Sequence, residues 1–462
     1  MKLNELVKKL FKKQTGLDLN NPEHLALVKK VHGSYHVFKN IYAKMYQYYK
    51  GDTDAIRKYL FVTERSNLKI NVNYIKKFIK EEVAYTLGND ITYESRTDNE
   101  SVVKDIEYYT AHWNELHDTD VMKYLLIFTK VYELYYIDEN ADFCTKIIKP
   151  TDGYAYHDKA SGKVLFFIHA FKNDFDNTTT YIDVYTDDLI YHFDNKFNQI
   201  SSPTTNIFGE VPVTIGELTE EKTDDSLYKD MKGLQDAFET NLSDIGNEIS
   251  DFRNAYLLFK NAQVDEDNIP DMKKLGVIQF PDSTNGDAAW LIKNINDTFI
   301  QNTLDRYHDT MYEIACHINH NEKLQSNLSG ITLRSRLIVL ENKCGLEIKA
   351  HKNIVKNRIR FLFIYLDLKK NKKYDYKDVK ALYTPNIPSD DLATAQMLSQ
   401  LPEGIVSKDT GRGLLSFINN TVFEGEKVKT EIKEIIDTED DYKNAFPEST
   451  LYKDGDVVEK KQ

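Results

Sequence analysis

Cys316, His317 and His320 come closest in this chain to a set of soft metal ligands. They fall at the end of an amphipathic helical pattern, and no fourth ligand follows at zinc-type spacing, so a plain helix end is expected and no metal. Asp265-Glu266-Asp267 lacks the glycine and closing glutamate of a calcium loop. Gly411-Arg412-Gly413 lacks both the length and the lysine of a phosphate loop. Neither a G-x-S-x-G elbow nor an H-E-x-x-H pair occurs. The expectation is therefore a protein that is not an enzyme and uses no cofactor. What the charged residues do offer is an electrostatic pattern. Asp236, Glu239, Asp244, Glu248 and Asp251 follow one another with no base between the first and the last. Like charges on one helix face repel by a few tenths of a kcal/mol per close pair. A one-signed face suggests helices grouped so that their acids line something; an ordinary amphipathic helix is the competing reading.

The helix carrying these acids is unusually regular. Leu227, Met231, Leu234, Phe238, Leu242, Ile245, Ile249, Phe252, Tyr256 and Phe259 step by 4,3,4,4,3,4,3,4,3, close to the repeat of helices packed side by side. A second stripe runs through Ile295, Phe299, Leu304, Tyr307, Met311, Ile314 and Ile318. Between them lies a small α/β insert, 261–294. After the polar stretch 319–328, Ser329 can cap a helix that continues to Lys370, since no proline occurs between Pro281 and Pro385. At ~1.5 Å per residue it would be roughly 60 Å long. It is strongly basic: Arg334, Arg336, Lys343, Lys349, Lys352, Lys356, Arg358, Arg360, Lys369 and Lys370 stand against Glu341, Glu347 and Asp367. Such a helix calls for an anionic partner, a neighbouring subunit or nucleic acid, unless it is merely solvated.

The whole chain of 462 residues is acidic, with a formal net charge of -13. That disfavours a protein that coats nucleic acid, yet suits one that holds DNA loosely. Three scattered cysteines give no disulfide framework. No signal peptide is read at the N-terminus, and no run approaches the ~18 apolar residues of a membrane span. Residues 1 to about 90 read as helices, one opening at Asn21-Pro22 and closing near Gly51, another closing at Gly88. A helical piece is expected around Val102 to Leu125. Strands follow at 131–137, 143–148, 154–156, 164–170, 179–185 and 189–193, separated by Asp/Asn/Gly turns. The fold class is thus α+β, mainly helical. Past Lys373, a strand at 379–383 precedes short helices, and beyond Thr438 the chain is charged and weakly apolar.

Several segments, in this order, resemble the portal proteins (head–tail connectors) of tailed bacteriophages, of the type found in long-tailed phages of Gram-positive hosts. They are TyrTyrLysGlyAsp at 48–52, AsnTyrIleLysLysPheIle at 73–79, TyrThrLeuGlyAsn at 85–89, PheGlyGluValProVal at 208–213 and LeuGlnAspAlaPheGluThrAsnLeuSerAspIle at 234–245. SerGlyIleThrLeuArgSerArgLeu at 329–337 is similar to the start of that family's long helix, with Thr332 where alanine is common. Ile405 to Thr410 is similar to the opening of its C-terminal helices.

The resemblance implies a ring subunit with wing, stem, clip and crown parts. The wing would be 1–225 with the long helix 329–373 and a returning strand at 374–388. The stem would be 226–260 and 295–318, the clip 261–294, the tunnel loop 319–328 and the crown 389–440, with a loose tail at 441–462. It further implies a dodecamer at one capsid vertex, assembled in the host cytoplasm, passing double-stranded DNA during packaging and ejection. Terminase, a head–tail adaptor, and major capsid and scaffolding proteins would be its partners, with no membrane. Lys323, Gln325 and Asn327 would touch DNA at the constriction, beside the acidic wall of Asp236, Glu239, Asp244, Glu248 and Asp251. Arg334, Arg336, Lys343, Lys349 and Lys352 would pair with neighbouring subunits. Two other classes compete: a DNA-packaging enzyme subunit, which would hydrolyse ATP, and a non-enzymatic scaffold with a coiled-coil stalk, which would be a dimer.

Overall fold

The computed structural model describes residues 17–60, 67–158, 160–252, 256–260, 287–291, 297–319, 330–386, 391–402, 404–415, 417–418, 421 and 423–433. Helix α1 (Pro22–Tyr49) starts where its cap is written: the Asn21 side chain accepts from the Glu23 amide and Pro22 opens the first turn. It ends before Gly51, whose φ of 85° is costly for a residue with a Cβ. Thr53 caps the short α2 (Asp54–Lys58), and Asn73 caps α3 (Tyr74–Leu87). The single helical piece expected at 102–125 is two helices, α4 (Glu100–Thr110) and α5 (His117–Phe128). Between them Asn114 accepts the Leu116 amide with its own side chain, a local bond that competes with helix continuation.

The strands form antiparallel sheets. The first pairs β3 (Phe143–Ile148), β2 (Lys130–Ile137) and β9 (Val213–Glu217) in the order β3-β2-β9. The second runs β4 (Gly153–His157), β5 (Val164–Asn173), β6 (Asp176–Tyr185), β7 (Leu189–Asp194), β8 (Thr204–Thr205). A long-range pair joins β1 (Thr92–Ser95) to β12 (Val379–Leu382). Between the sheets pack Tyr132, Leu134, Ile148, Phe167 and Val213. The second sheet also carries Phe166, Ile168, Ile182 and Val184 against Leu27, Val28 and Val31 of α1.

Three more helices complete the larger part: α6 (Leu227–Phe252), α7 (Asp297–Ala315) and α8 (Gly330–Lys370). Helix α6 stops earlier than its apolar repeat. Tyr256 and Phe259, which continue the 3–4 stepping, lie in strand β10 (Tyr256–Lys260), paired with β11 (Asp287–Leu291). The stretch Tyr-Leu-Leu-Phe-Lys fits a helix stripe and a strand equally well, and the available strand partner decides. The main core gathers Phe78 and Ile79 of α3, Leu125 and Phe128 of α5, Met231 and Phe238 of α6, Met311 and Tyr312 of α7, and Ile354 of α8.

The chain divides into two compact units, 1–386 and 387–462. The second contains α9 (Asp391–Gln400), α10 (Lys408–Gly413) and helical residues 423–433.

Gly216 of β9 lies directly under α8. A Cβ there would collide with Ile354 Cδ1 and sit 2.9 Å from Val131 Cγ1. Gly216→Val is expected to cost about 1–3 kcal/mol through overpacking, read as a lowered denaturant midpoint. Ile354→Ala in the same background should recover part of the loss. An unchanged midpoint would mean that β9 and α8 are not in close contact.

Candidate functional site

The site is the set of helices α6, α7 and α8 and the groups that fix them. Helix α6 turns a row of hydrogen-bonding side chains, one per turn, toward an extended strap at 68–72. The Leu68 amide donates to Asn247 Oδ1 at 2.6 Å, and Asn247 Nδ2 donates back to the Leu68 carbonyl at 3.1 Å. The Ile70 amide donates to Ser243 Oγ at 2.9 Å. The Val72 amide donates to Glu239 Oε1 at 3.1 Å, and Gln235 Nε2 donates to the Val72 carbonyl. Alternate residues of an extended segment present their backbone to one side, and residues four apart on a helix share a face. The two periodicities meet, and the strap has its backbone satisfied by side chains in place of a sheet.

This arrangement uses up part of the acidic row. Tyr48 donates its hydroxyl to Asp236 at 2.8 Å, Thr53 donates to Glu239, and Tyr59 donates to Asp244 at 2.6 Å. Asp236 also receives the Ala55 amide and Lys232. Glu239 is fully buried, and burial raises its carboxyl above the ordinary range despite the bonds from Thr53, Val72 and Gln235. Glu239 therefore does not face a channel; it is an internal clamp. Asp236 is tied into the same internal network. Asp244 is exposed and Glu248 half-buried. The side chain of Asp251 lies outside the described residues.

The more open acidic face is on α7. Asp305, Asp309 and Glu313 are all exposed and fall four residues apart on one side of the helix, with exposed Arg306 beside Glu313. Met311 and Ala315, on the opposite side, are buried in the main core, as is Tyr312 at the edge of the acidic face. In the sequence Arg306 and His308 interrupt the sign of this row, so it does not stand out there. The four-residue spacing of the acids is the available signal.

At the C-terminal end of α7 a buried charge cluster joins three helices. Cys316, at φ 63°, ends the helix. His317 then places Nδ1 2.8 Å from Glu81 Oε2 and Nε2 2.9 Å from Glu82 Oε1, both on α3. Lys343 of α8 donates to the same Glu82 oxygen at 2.6 Å and to the Ala315 carbonyl at 3.1 Å. Burial opposes charge on His317, but its two carboxylate partners outweigh it and hold the imidazole above the usual histidine value. Glu347, buried one turn beyond Lys343, is pushed up to about 8 by burial and by the Glu82 charge. With both ring nitrogens taken by carboxylates, His317 is an ion-pair partner and no metal ligand; His320 lies outside the described residues. Among the described residues no group of three or more metal-ligating side chains converges.

The anionic partners of the basic helix lie largely within the same subunit. Arg358, almost completely buried, places Nε 2.9 Å from Glu133 Oε1 and Nη2 2.7 Å from Asp118 Oδ1. His117 Nε2 and the Tyr135 hydroxyl complete the shell of Glu133 at 2.6 and 2.7 Å. Burial alone would raise the Glu133 carboxyl, but the Arg358 charge and His117 hold it well below the carboxylate range. Arg360 pairs with Glu210, and Lys369 with Asp142 at 3.7 Å. Lys343 is thus paired within its own subunit, with Glu82. Lys352 is half-buried with its ammonium 5.2 Å from the Tyr383 ring, and Lys349 is exposed. Lys323, Gln325 and Asn327, and the side chains of Arg334 and Arg336, lie outside the described residues.

Acids thus lie on one open helix face, while Lys343, Arg358 and Arg360 of the basic helix are paired within the subunit. A family model described as "Phage portal protein, SPP1 Gp6-like" matches residues 32–441. The chain belongs to the SPP1 Gp6-like family of phage portal proteins, a family of structural proteins that form ring oligomers in the phage particle. Its function is accordingly that of a portal, and it is a virion component. Among solved structures, a chain from "Neck of empty GTA particle computed with C6 symmetry" is similar at 8% identity and a TM-score of 0.46, covering 74% of this chain and 90% of that one. None of the curated proteins matches. Among the described residues no helix is long and apolar enough to cross a membrane.

Proposed function

We propose that copies of this chain, twelve in the resembling family, close into the ring at one capsid vertex through which double-stranded DNA enters and leaves. The reading extends to the host type that the motifs resemble, long-tailed phages of Gram-positive bacteria. Residues 1–225, with 329–373 and 374–388, form the wing, and α6 and α7 the stem. Residues 261–294 form the clip, on which terminase and later the head–tail adaptor dock, and 389–440 form the crown, with 441–462 as its tail. Major capsid and scaffolding proteins surround the ring during assembly in the host cytoplasm. The chain has no catalysis of its own.

The observation that carries this reading is the exposed acidic side of α7. Each phosphate contact to Lys or Arg adds a salt-dependent increment of affinity, so DNA slides best along a wall that repels it. Asp305, Asp309 and Glu313, together with Asp244, Glu248 and Asp251, form that wall. Lys323, Gln325 and Asn327 touch the backbone weakly at the constriction. Lys349, Lys352, Arg334 and Arg336 remain the basic groups assigned to neighbouring subunits.

Two variants test the channel. Lys323→Glu should lower the yield of DNA-filled particles several-fold while leaving the mass of the purified ring unchanged. Equal loss of ring and packaging would argue against a channel role. Asp309→Lys with Glu313→Lys should make the ring retain DNA at low salt and release it as salt rises, measured by a filter-binding titration. Salt-independent behaviour identical to the parent would place this face elsewhere.

A further inference from the structure

Residues 391–433 contain helices but almost no interior. Leu392, Ile405 and Phe417 are more than half exposed, and Met397, Leu414 and Ile432 nearly so. Among the described residues of this unit no apolar side chain is buried; Gly425 alone is. Among the described residues the contacts that hold its pieces are small. Leu398 lies near Gly411, Thr421 near Gly413, and the Arg412–Asp409 pair near Gly425. Helix α9 has 10 residues and α10 has 6, below the ~12–15 at which an isolated helix becomes even marginally stable in water. The compact unit spans 387–462, and its described helical part, roughly 40 residues, is of a size that needs a disulfide, a metal or association to hold it. The three cysteines, at 144, 316 and 344, all lie outside this unit, and no metal cluster is found among the described residues. Association is what remains.

We infer that the occupant of these apolar faces is the same unit of adjacent copies of this chain, so that 391–433 acquires its core only when the ring closes. The inference rests on the ring reading above. Ring symmetry places every copy of the unit at one height around one axis, which raises its effective concentration without any new binding energy. At roughly 100 Å² for each of the six side chains, the apolar area is on the order of 600 Å², near the ~800 Å² per partner of a standard interface. The chain after 433 begins Glu434-Ile435-Ile436 and then runs into Asp437-Thr438-Glu439-Asp440-Asp441, four acids in five residues; two isoleucines ahead of that acidic run are too few to cover six apolar side chains.

Hydrogen exchange followed by mass spectrometry on the full chain, as ring and as diluted monomer, tests this. Exchange in 391–433 is expected to be at least about tenfold slower in the ring, with the two sheets equally protected in both forms. Leu392→Asp with Phe417→Asp should keep ring mass and lose that protection. Protection already present in the monomer would overturn the inference, and removal of 434–462 would then show whether the tail is the cover. A ring whose 391–433 exchanges freely, or a double variant as protected as its parent, overturns it while leaving the portal reading intact. A chain that stays monomeric at every concentration sinks both.

Discussion

Arg358→Met should lower subunit stability by about 3–5 kcal/mol, the range for removing one partner of a buried ion pair. Arg358 is 3% exposed and Glu133 fully buried, so water cannot replace the guanidinium. Methionine fills much of the volume and packs on Trp113, whose ring lies 5.4 Å from the guanidinium carbon. The cost therefore comes from charge, since Glu133 and Asp118 are left facing each other without a cation. Adding Glu133→Gln to Arg358→Met should restore a large share, because an apolar or neutral replacement of both partners is far milder than breaking the pair. The measurement is a denaturant titration at fixed protein concentration, since ring formation makes apparent stability concentration-dependent. A single variant within 1 kcal/mol of the parent would mean that the cluster is open to water.

The second large effect is expected at Glu82. This carboxylate, 2% exposed, receives both His317 and Lys343 and so holds α3, α7 and α8 together. Glu82→Ala takes the carboxylate from Lys343 and leaves His317 with Glu81 alone, and a loss of about 3–5 kcal/mol follows on the same grounds. The cluster also sets a direction for pH. His317 is raised from its unfolded value, so it contributes stability below about pH 6.5 that is lost as pH climbs through its folded value. Glu347 keeps its proton in the folded chain up to about 8, whereas the unfolded chain releases it near 4.5. The folded state therefore binds more protons across that interval, and stability falls as pH rises. Melting points should drop between about pH 5 and 8 more steeply in the parent than in Glu347→Gln, which cannot titrate. Parallel curves would remove Glu347 from the account.

Much of the architecture can be read directly from residue order. The long helix α8 follows from an unbroken stretch without proline and a continuous apolar stripe, and it runs from Gly330 to Lys370. Both sheets follow from period-two segments divided by Asp/Asn turns. The misreadings share one cause. Glu239 resembles Asp244 in local pattern, yet one is buried and the other exposed, because Thr53 and the strap come from about 170 to 190 residues away. Likewise the basic face of α8 gives no local sign that Arg358 finds Glu133 at a separation of 225 residues. Periodicity tells which side of a helix is apolar, but which polar side is covered depends on partners distant in the chain. The row Gln235, Glu239, Ser243, Asn247 was visible as hydrogen-bonding residues at four-residue spacing, and its meaning required the strap.

That strap has a consequence for biosynthesis. Leu68 binds a residue 179 positions later, so its backbone has no partner until Asn247 has left the ribosome. At ~5–20 residues per second the interval is roughly 10–35 s. For that time a nascent chain displays a bare extended edge with Leu68 and Ile70 beside it, an invitation to holdase chaperones and to mispairing between neighbouring polysomes. Host translation speed, set by growth temperature, would then govern how much of the newly made polypeptide reaches assembly at all.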